Sequence, residues 1–447
     1  MGKVHIQSEI PGPKSRELVA REQRHLAPGL QAFALWAGVA MERGRGSYLT
    51  DVDGNTYVDL IGGIGVNSLG HCHPKYVQAL TQQMHKLTLG SLTSEPRAEL
   101  VNEVAEVAPE GLDRLQLYSG GAEAVESALR LARSYTGRLD VVGFWGAFHG
   151  KTAGAMSLMG SEAKHGLGPL LPHTTLIPYA DCYRCPFNLS YPSCGVACAD
   201  FARKAIKAQS SGPVAAVIAE PMQGTAGNVI PPPEFIPAVA EAAHEVGALF
   251  IADEMITGLG RTGKMWGVDH SSTRPDIATL GKGFGSGFPV SGVLTSSQVA
   301  QAKPWANPSG ASSSYGGNPL ASAAALASVR VIRAERLWEN AARVGGEMLT
   351  ELKKMQERYP FIGDVRGAGL LLGIEIVKNR KTKEAMPGTV MKEFYLSGVK
   401  RGLLAMIYSP HIRLQPALTI DREAALEGLS ILDELFAKFY KDGSWGS

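Results

Sequence analysis

Several features that mark other classes of protein are scarce in this 447-residue sequence. Lysine and arginine (44) nearly balance aspartate and glutamate (42), for a formal net charge of +2, and no basic run interleaves with aromatic residues. The electrostatic footprint of a nucleic-acid-binding protein is therefore missing. No apolar run approaches the ~18 residues of a membrane span, and the N-terminus lacks the apolar core of a secretory signal. We expect small-molecule partners, no nucleic acid, no membrane and a cytoplasmic location.

Cysteine is also scarce, with five residues in the whole chain, which is too few for a disulfide scaffold. Four of them cluster with two, eight and three residues between successive members: Cys182, Cys185, Cys194 and Cys198. Four thiols at short spacing can bind zinc in a tetrahedral site. Free thiols, or bridged thiols that staple a long insertion, are the alternatives, and no metal is included among the expected site groups.

The length and composition predict more than one core-bearing unit. Hydrophobic residues make up 45% of the chain and charged residues 19%, which is an ordinary globular balance. We expect an N-terminal segment over 1–75 with a hairpin turn at Asp53-Gly54-Asn55, a large domain over 76–332, and a small C-terminal domain over 333–447. The N-terminal segment is expected to be part of the small α+β domain.

The large domain is predicted to be an α/β structure with a mostly parallel sheet flanked by helices. Short apolar runs alternate with amphipathic helical stretches, which is typical of buried parallel strands. The predicted strands include 141–144, 214–219, 248–252 and 277–280. Ligands of such sheets bind beyond the carboxyl ends of the strands, so polar residues directly after these runs are the first candidates for a site.

Two strand ends carry a complementary pair of charges. Asp253 follows the run 248–252, and Lys282 follows 277–280 between two glycines. A lysine that forms an imine needs a partly desolvated site, and a pyridinium nitrogen needs a carboxylate to keep it protonated. An isolated Gly-Lys-Gly would be a solvated loop, but the spacing relative to Asp253 favours a catalytic pair.

A third strand end resembles a phosphate cradle. The run that ends at Tyr118 is followed by Ser119, Gly120 and Gly121, and then by a predicted helix. The buried face of that helix is predicted from i, i+3, i+4, i+7 spacing: Val125, Ala128, Leu129 and Ala132. The amides of the turn and the helix dipole would then face one anion, although a plain helix cap is the alternative.

Together these segments resemble the class III aminotransferases of pyridoxal-5'-phosphate (PLP) fold type I. The stretch from Asp253 to Gly263, continued by Gly281-Lys282-Gly283, is its most specific part. Further agreement lies in Gly70-His71-Cys72-His73-Pro74, Phe148-His149-Gly150, Glu220-Pro221 and Tyr315-Gly316-Gly317-Asn318-Pro319. The resemblance covers about 46–418 and extends to the 4-aminobutyrate aminotransferase, dialkylglycine decarboxylase and amino-acid epimerase branches.

The resemblance implies a role for each matching residue. Lys282 would be the Schiff-base lysine and proton shuttle, and Asp253 would pair with the ring nitrogen of PLP. Phe148 would stack on the ring, with His149 beside it, and the phosphate would be held by the turn Ser119, Gly120 and Gly121. Ser314 lies where the family usually has a threonine that reaches the phosphate of the neighbouring subunit, which implies a homodimer or a dimer of dimers with shared active sites.

The same resemblance assigns the substrate side. Arg413 would grip a substrate carboxylate with its planar fork, and Glu220 would neutralise that arginine when the substrate lacks a carboxylate. Two positions depart from the 4-aminobutyrate branch: Ile256 replaces a glutamine that contacts the cofactor, and Lys151 replaces an arginine for the distal carboxylate. Lys151 can still attract a carboxylate, but as a point charge.

The sequence is therefore interpreted as a PLP-dependent aminotransferase. It would move an amino group from an amine or amino acid to a 2-oxo acid such as pyruvate or 2-oxoglutarate. A racemase or epimerase using the same residues is the first alternative, and a decarboxylating transaminase is the second. A PLP-binding module without catalysis is disfavoured because the chain has no helix-turn-helix segment and no basic arm.

Overall fold

The computed structural model describes residues 3–443, with the backbone alone at residue 209. The chain divides into a small unit, Met1–Pro74 with Glu339–Ser447, and a large unit, Lys75–Trp338. The predicted boundaries were 75/76 and 332/333. Residues 1–2 and 444–447 of the two predicted outer segments lie outside the described residues.

The helices and strands alternate through the large unit. The helices are α1 Pro13–Gln23, α2 Ala32–Ala37, α3 Gly62–Gly65, α4 Pro74–Met84, α5 Glu95–Val107, α6 Gly121–Thr136, α7 Ala153–Ser157, α8 Ala197–Gln209, α9 Phe235–Glu245, α10 Pro319–Ala334, α11 Leu337–Arg358, α12 Gly388–Val399 and α13 Arg422–Lys441. The strands are β1 Met41–Arg45, β2 Tyr48–Asp51, β3 Thr56–Asp59, β4 Arg114–Tyr118, β5 Asp140–Trp145, β6 Met159–Gly160, β7 Thr174–Ile177, β8 Val214–Ala219, β9 Leu249–Asp253, β10 Ile277–Leu280, β11 Ser291–Thr295, β12 Ile362–Ala368, β13 Leu371–Asn379, β14 Glu384–Ala385, β15 Leu403–Leu404, β16 Met406–Tyr408 and β17 His411–Leu414.

The large unit is built on one mostly parallel sheet, which confirms the predicted α/β fold class. Its described strands lie in the order β4-β11-β10-β9-β8-β5-β6, with β7 also paired to β5. The pairs among β5 to β10 are parallel, whereas β11 runs antiparallel to both β10 and β4. The carboxyl ends of β4, β5, β8, β9 and β10 therefore meet at one edge of the sheet, where ligands of such folds bind.

Helix α6 packs on this sheet through small side chains. The predicted face Val125, Ala128, Leu129 and Ala132 is buried, with 0%, 0%, 3% and 0% of each residue exposed. These residues share a core with strand side chains that include Ile218, Ile251 and Val293. Alanines along the helix allow a close approach to the sheet, which fixes the helix N-terminus beside the ends of the neighbouring strands.

The small unit holds two further sheets. One has the order β1-β2-β3-β15, and the predicted hairpin at Asp53-Gly54-Asn55 joins β2 to β3 in antiparallel register. The other has the order β12-β13-β17-β16, with β14 on β13. The chain leaves helical geometry at Arg336 (φ 48°) between α10 and α11, and α11 is one helix of 22 residues. Among residues 3–443, no helix combines the length and apolar character needed to cross a membrane.

Candidate active site

Asp253 lies at the centre of the site, at the end of β9. Its side chain is fully buried. One carboxylate oxygen, Oδ2, lies 2.6 Å from His149 Nδ1, and the other, Oδ1, accepts hydrogen bonds from Thr279 Oγ1 (3.0 Å) and the amide of Met255 (3.1 Å). Each contact is to a charged or polar group, so the buried carboxylate is held in one orientation without losing its hydrogen bonds.

His149 links the end of β5 to Asp253. Burial by itself disfavours the charged imidazole, but the hydrogen bond and charge of Asp253 outweigh it, and the pKa of His149 is raised. The negative charge of Glu220 acts in the same direction, and Lys282 opposes it. His149 Nε2 is buried and has no hydrogen-bond partner among the described residues. A bound polar group or a water would supply the missing partner, since such nitrogens are rarely left unsatisfied.

Lys282 lies two residues beyond β10, on a short 3-10 turn that ends at Phe284. Its backbone has φ 44°, a left-handed conformation that is costly for a lysine. The turn is held by Tyr76 Oη, which donates to the carbonyl of Gly285 (2.5 Å), and by Ser328 Oγ, which donates to the carbonyl of Gly283 (2.8 Å). Thr279, on the strand that leads to Lys282, donates a hydrogen bond to Asp253. The carboxylate at the end of β9 is therefore tied directly to β10.

The predicted phosphate cradle faces an anion in the structure. The amides of Ser119 and Gly120 both point to Glu123 Oε2, at 3.0 and 3.4 Å. At Gly120 an added Cβ would meet nothing within 4 Å, whereas at Gly121 it would lie 3.1 Å from Met255 Sδ. Both amides are thus capped by a carboxylate from the first turn of their own helix, which is the helix cap considered from the sequence, and the space beside Gly120 is open.

The turn after β5 packs against this cradle. At Gly150 (φ 134°) an added Cβ would lie 2.5 Å from Ala122 Cβ, so only a glycine allows the turn to reach the first turn of α6. Phe148 is partly buried, and Lys151 is exposed. The amide of Phe148 donates to Glu220 Oε1 (3.0 Å), which ties the aromatic residue to the end of β8.

Glu220 is a second buried carboxylate of the site, with 4% of the residue exposed. Its other oxygen, Oε2, accepts the amide of Gly224 at 3.0 Å. Burial raises its pKa; the positive His149 opposes this shift, and the nearby Asp253 adds to it. Asp253, His149, Glu220 and Lys282 therefore form one electrostatic cluster at the carboxyl edge of the sheet.

Ser314 and Arg413 are the two remaining predicted residues of the site. Ser314 is exposed in the loop between β11 and α10. Arg413 belongs to the small unit, where it lies on β17 with 4% exposure, its Nη2 2.7 Å from Met406 Sδ and its guanidinium 5.1 Å from the centre of the Tyr408 ring.

Sequence reasoning missed two residues that organise the site. Thr279 interrupts the apolar run of β10, and this interruption was the available signal for its bond to Asp253. Glu254 is also buried, and its carboxylate accepts the amides of Gly267 and Val268, both at 2.9 Å, and the hydroxyl of Thr257. It holds the loop after β9 in place.

The four clustered cysteines are all free thiols in the structure, as is Cys72. They line a small apolar cavity, and burial together with the neighbouring thiols raises the pKa of Cys182 to about 11. Across residues 3–443, no three histidine, cysteine or carboxylate side chains converge as a metal site would require. The bridged arrangement considered from the sequence is not present.

Comparison with known proteins gives one consistent family. A family model described as "Aminotransferase class-III" matches residues 34–436. The chain is 34% identical to a leucine/methionine racemase from Thermococcus litoralis over 90% of this chain and 91% of that protein. A thermostable (S)-enantioselective omega-transaminase from Thermomicrobium roseum superposes with a TM-score of 0.88 at 32% identity, over 98% of this chain and 99% of that one. An amine transaminase from an uncultivated Pseudomonas species, solved with PLP bound, gives 0.87 at 30% identity, over 93% and 98%.

Proposed function

This chain belongs to the class III aminotransferases, and we propose that Asp253, His149 and Lys282 form the centre of its active site. It is a PLP-dependent aminotransferase that transfers an amino group from an amine or amino acid to a 2-oxo acid. The observation that carries the site proposal is the buried Asp253 carboxylate, bonded both to His149 and to the strand that leads to Lys282.

The residues of the large unit fit the cofactor. When bound, PLP supplies an aldehyde for covalent attachment of an amine and a ring that accepts electrons from the bond being broken. Ser119, Gly120 and Gly121 would hold its phosphate in the open space beside Gly120, where it would replace the Glu123 carboxylate that now caps two of these amides. Asp253 would keep the ring nitrogen protonated, and Phe148 would cover one face of the ring.

Lys282 would attach the cofactor and then carry the proton. Its side-chain amine, free once a substrate amine has taken its place, would accept a proton from the substrate carbon at Nζ and return it on the cofactor side. The strained turn and its two anchors, Tyr76 and Ser328, keep the amine within a narrow range of positions.

His149 is proposed as a positioning residue for Asp253. A proton on His149 Nδ1 would bond the Asp253 carboxylate and fix its orientation towards the ring nitrogen. Glu220 adds negative charge to the cluster. Its carboxylate accepts the amides of Phe148 and Gly224, both in the large unit, and so fixes the backbone of Phe148.

On the substrate side, we assign a substrate carboxylate to Arg413 and Lys151, and we assign Glu220 to neutralise the arginine when the substrate lacks a carboxylate. Arg413 offers a planar fork for two carboxylate oxygens, and the exposed Lys151 offers a single charge. Ser314 would reach the phosphate of a neighbouring subunit, so the working form is proposed to be a homodimer or a dimer of dimers in the cytoplasm. Activity recovered on mixing Lys282→Ala chains with Ser314→Arg chains would test the shared site, since each mixed dimer regains one intact site.

The central test is chemical labelling of the holoenzyme. Borohydride reduction followed by peptide mapping should label position 282, and Lys282→Ala should lose the label and lower turnover about a thousandfold or more. The control is Lys204→Ala, an exposed position on α8 that should leave both unchanged. A label at another lysine, or full turnover by Lys282→Ala, would refute the assignment.

Amino-acid racemisation is the second candidate, favoured by the 34% identity to a leucine/methionine racemase. It would use the same proton abstraction, with return of the proton to the opposite face. Incubating one enantiomer with the holoenzyme and no oxo acid separates the two activities. A racemase gives the other enantiomer in amounts far above the enzyme, whereas an aminotransferase stops after one half-reaction.

A further inference from the structure

One face of the small unit's second sheet carries two adjacent rows of residues, most of them polar or charged. The cross-strand partners are set by the register of β12, β13, β17 and β16, and residues two apart on a strand share a face. The first row is Asp364, Glu375, His411 and Tyr408, and the second is Arg366, Gly373, Arg413 and Met406. Arg413 therefore has an organised charged surface beside it.

The first row contains a buried carboxylate shared by two partners. Glu375 is 0% exposed, and its Oε2 lies 3.1 Å from Arg366 Nη1 and 3.6 Å from His411 Nε2. Arg366 Nη1 also bonds Asp364 Oδ2 at 2.7 Å. Because Arg366 is the stronger and closer partner, it neutralises Glu375 more effectively than His411 does.

His411 is placed between opposing charges. The strands that flank β17 present Glu375 from β13 on one side and Tyr408 from β16 on the other. Arg366 lies one strand further out, on β12, and Arg413 lies two residues along β17 itself. Burial lowers the pKa of His411; Glu375 opposes that shift, and the two arginines add to it. With His411 neutral, the charges of Asp364, Glu375, Arg366 and Arg413 sum to zero.

We propose that His411 is a positioning residue that takes up a proton when a substrate carboxylate binds Arg413. The carboxylate adds one negative charge to a neutral, largely buried surface, and His411 is the group on it that can compensate. By linkage, a substrate that promotes protonation binds more tightly as the pH falls. This inference rests on the proposed function, because it takes Arg413 as the carboxylate site.

Proton uptake by His411 should therefore depend on whether the acceptor substrate carries a carboxylate. For an acceptor with a carboxylate, such as pyruvate, KM should decrease as the pH is lowered below neutrality. An acceptor aldehyde without a carboxylate, such as propanal, should not share this dependence, since it adds no charge beside Arg413. Effects of pH on the cofactor and on Lys282 are common to both acceptors and cancel in the ratio of the two KM values.

The test compares that ratio in the holoenzyme and in His411→Gln. Glutamine keeps an N–H to donate to Glu375 but cannot titrate. When the pH is lowered from about 8 to about 5.5, we expect the ratio of the KM for pyruvate to the KM for propanal to decrease about fivefold or more in the parent enzyme. In His411→Gln this ratio should not change with pH. The control His244→Gln removes a histidine paired with Asp276 (2.8 Å) in the large unit and should behave like the parent.

A second measurement needs no variant. Pyruvate titrated into the pyridoxal form of the parent holoenzyme in two buffers of different ionisation enthalpy reports proton uptake, which should approach about one proton near neutral pH. A KM ratio independent of pH in the parent, the same pH dependence in His411→Gln, or no proton uptake would each overturn the inference. Failure of the proposed function would be seen differently, as the absence of amino transfer with either acceptor at any pH.

Discussion

Two buried histidines in this protein each lie beside a carboxylate, and their pKa values are shifted in opposite directions. In the large unit, His149 Nδ1 is 2.6 Å from Asp253, and its pKa is raised despite complete burial of the side chain. In the small unit, His411 Nε2 is 3.6 Å from Glu375, and its pKa is lowered. Burial penalises the charged imidazole in both, so the difference lies in the partners.

The competing arginine decides the outcome. Glu375 is neutralised by Arg366, and Arg413 adds further positive charge near His411. Asp253 accepts instead from a threonine hydroxyl and an amide, which leave its charge available to His149. The pair of His149 and Asp253 is thus suited to hold a proton permanently. The pair of His411 and Glu375 is suited to gain a proton when the surrounding charge changes.

We expect the largest loss of activity when the charge of Asp253 is removed. Asp253→Asn keeps the shape of the side chain but should lower turnover about a thousandfold, because the ring nitrogen and His149 both lose their anionic partner. The pKa of His149 should fall with it, which NMR of labelled histidine can follow. Asp276→Asn, at a partly exposed carboxylate paired with His244, is the control and should keep its activity. Unchanged turnover in Asp253→Asn would remove Asp253 from the site.

Much of this arrangement follows from the sequence, because local patterns determine strand ends. The runs at 214–219, 248–252 and 277–280 each form a strand, and Glu220, Asp253 and Lys282 follow at one edge of the sheet. The hydrogen bonds among them could not be predicted, since they depend on side-chain orientation. Thr279 and Glu254 became significant only once the strands were paired.

The small unit was less predictable for the same reason. Arg413 was assigned by resemblance, but its neighbours Arg366 and Glu375 lie on β12 and β13, which are separated from β17 by α12 in the sequence. Their proximity depends on the register of β12, β13 and β17, which no local pattern sets.

A second prediction addresses the small unit. Glu375→Gln leaves Arg366 without its buried anionic partner and should lower the free energy of unfolding by about 3 kcal/mol, measured by urea denaturation. Glu347→Gln removes an exposed partner of Arg422 and should cost less than about 1 kcal/mol. If both variants lost the same small amount, the buried network would not be the stronger of the two.

A third prediction tests how tightly the lysine turn is packed against the phosphate cradle. A Cβ at Gly281 would lie 2.7 Å from Met255 Sδ, the same sulfur that is 3.1 Å from a Cβ at Gly121. Gly281→Ala should therefore lower stability by about 2 kcal/mol and weaken PLP binding, as judged by cofactor titration. Gly346→Ala, on α11 with nothing within 4 Å, should instead stabilise slightly. Equal effects at the two positions would indicate that Met255 moves aside freely.

The smallest expected effect concerns Glu254, a buried carboxylate held by amides and a hydroxyl in place of a histidine or an arginine. Burial raises its pKa to about 7, although its hydrogen bonds oppose the shift. A raised carboxyl pKa means that the folded state binds more protons than the unfolded state between its ordinary value and about 7. Its contribution to stability is therefore fully present below the unfolded pKa and is lost as the pH rises towards 7.

Removing this carboxyl group should flatten that slope. From about pH 5 to 7, the free energy of unfolding of the parent should fall by about 1 kcal/mol more than that of Glu254→Gln, followed by tryptophan fluorescence in urea. Trp266 directly precedes the amide of Gly267 that Glu254 binds, so it reports on this loop. Glu110→Gln, at an exposed glutamate paired with Arg274, should keep the parent slope. A slope in Glu254→Gln as steep as in the parent would show that the amides hold Glu254 ionised throughout.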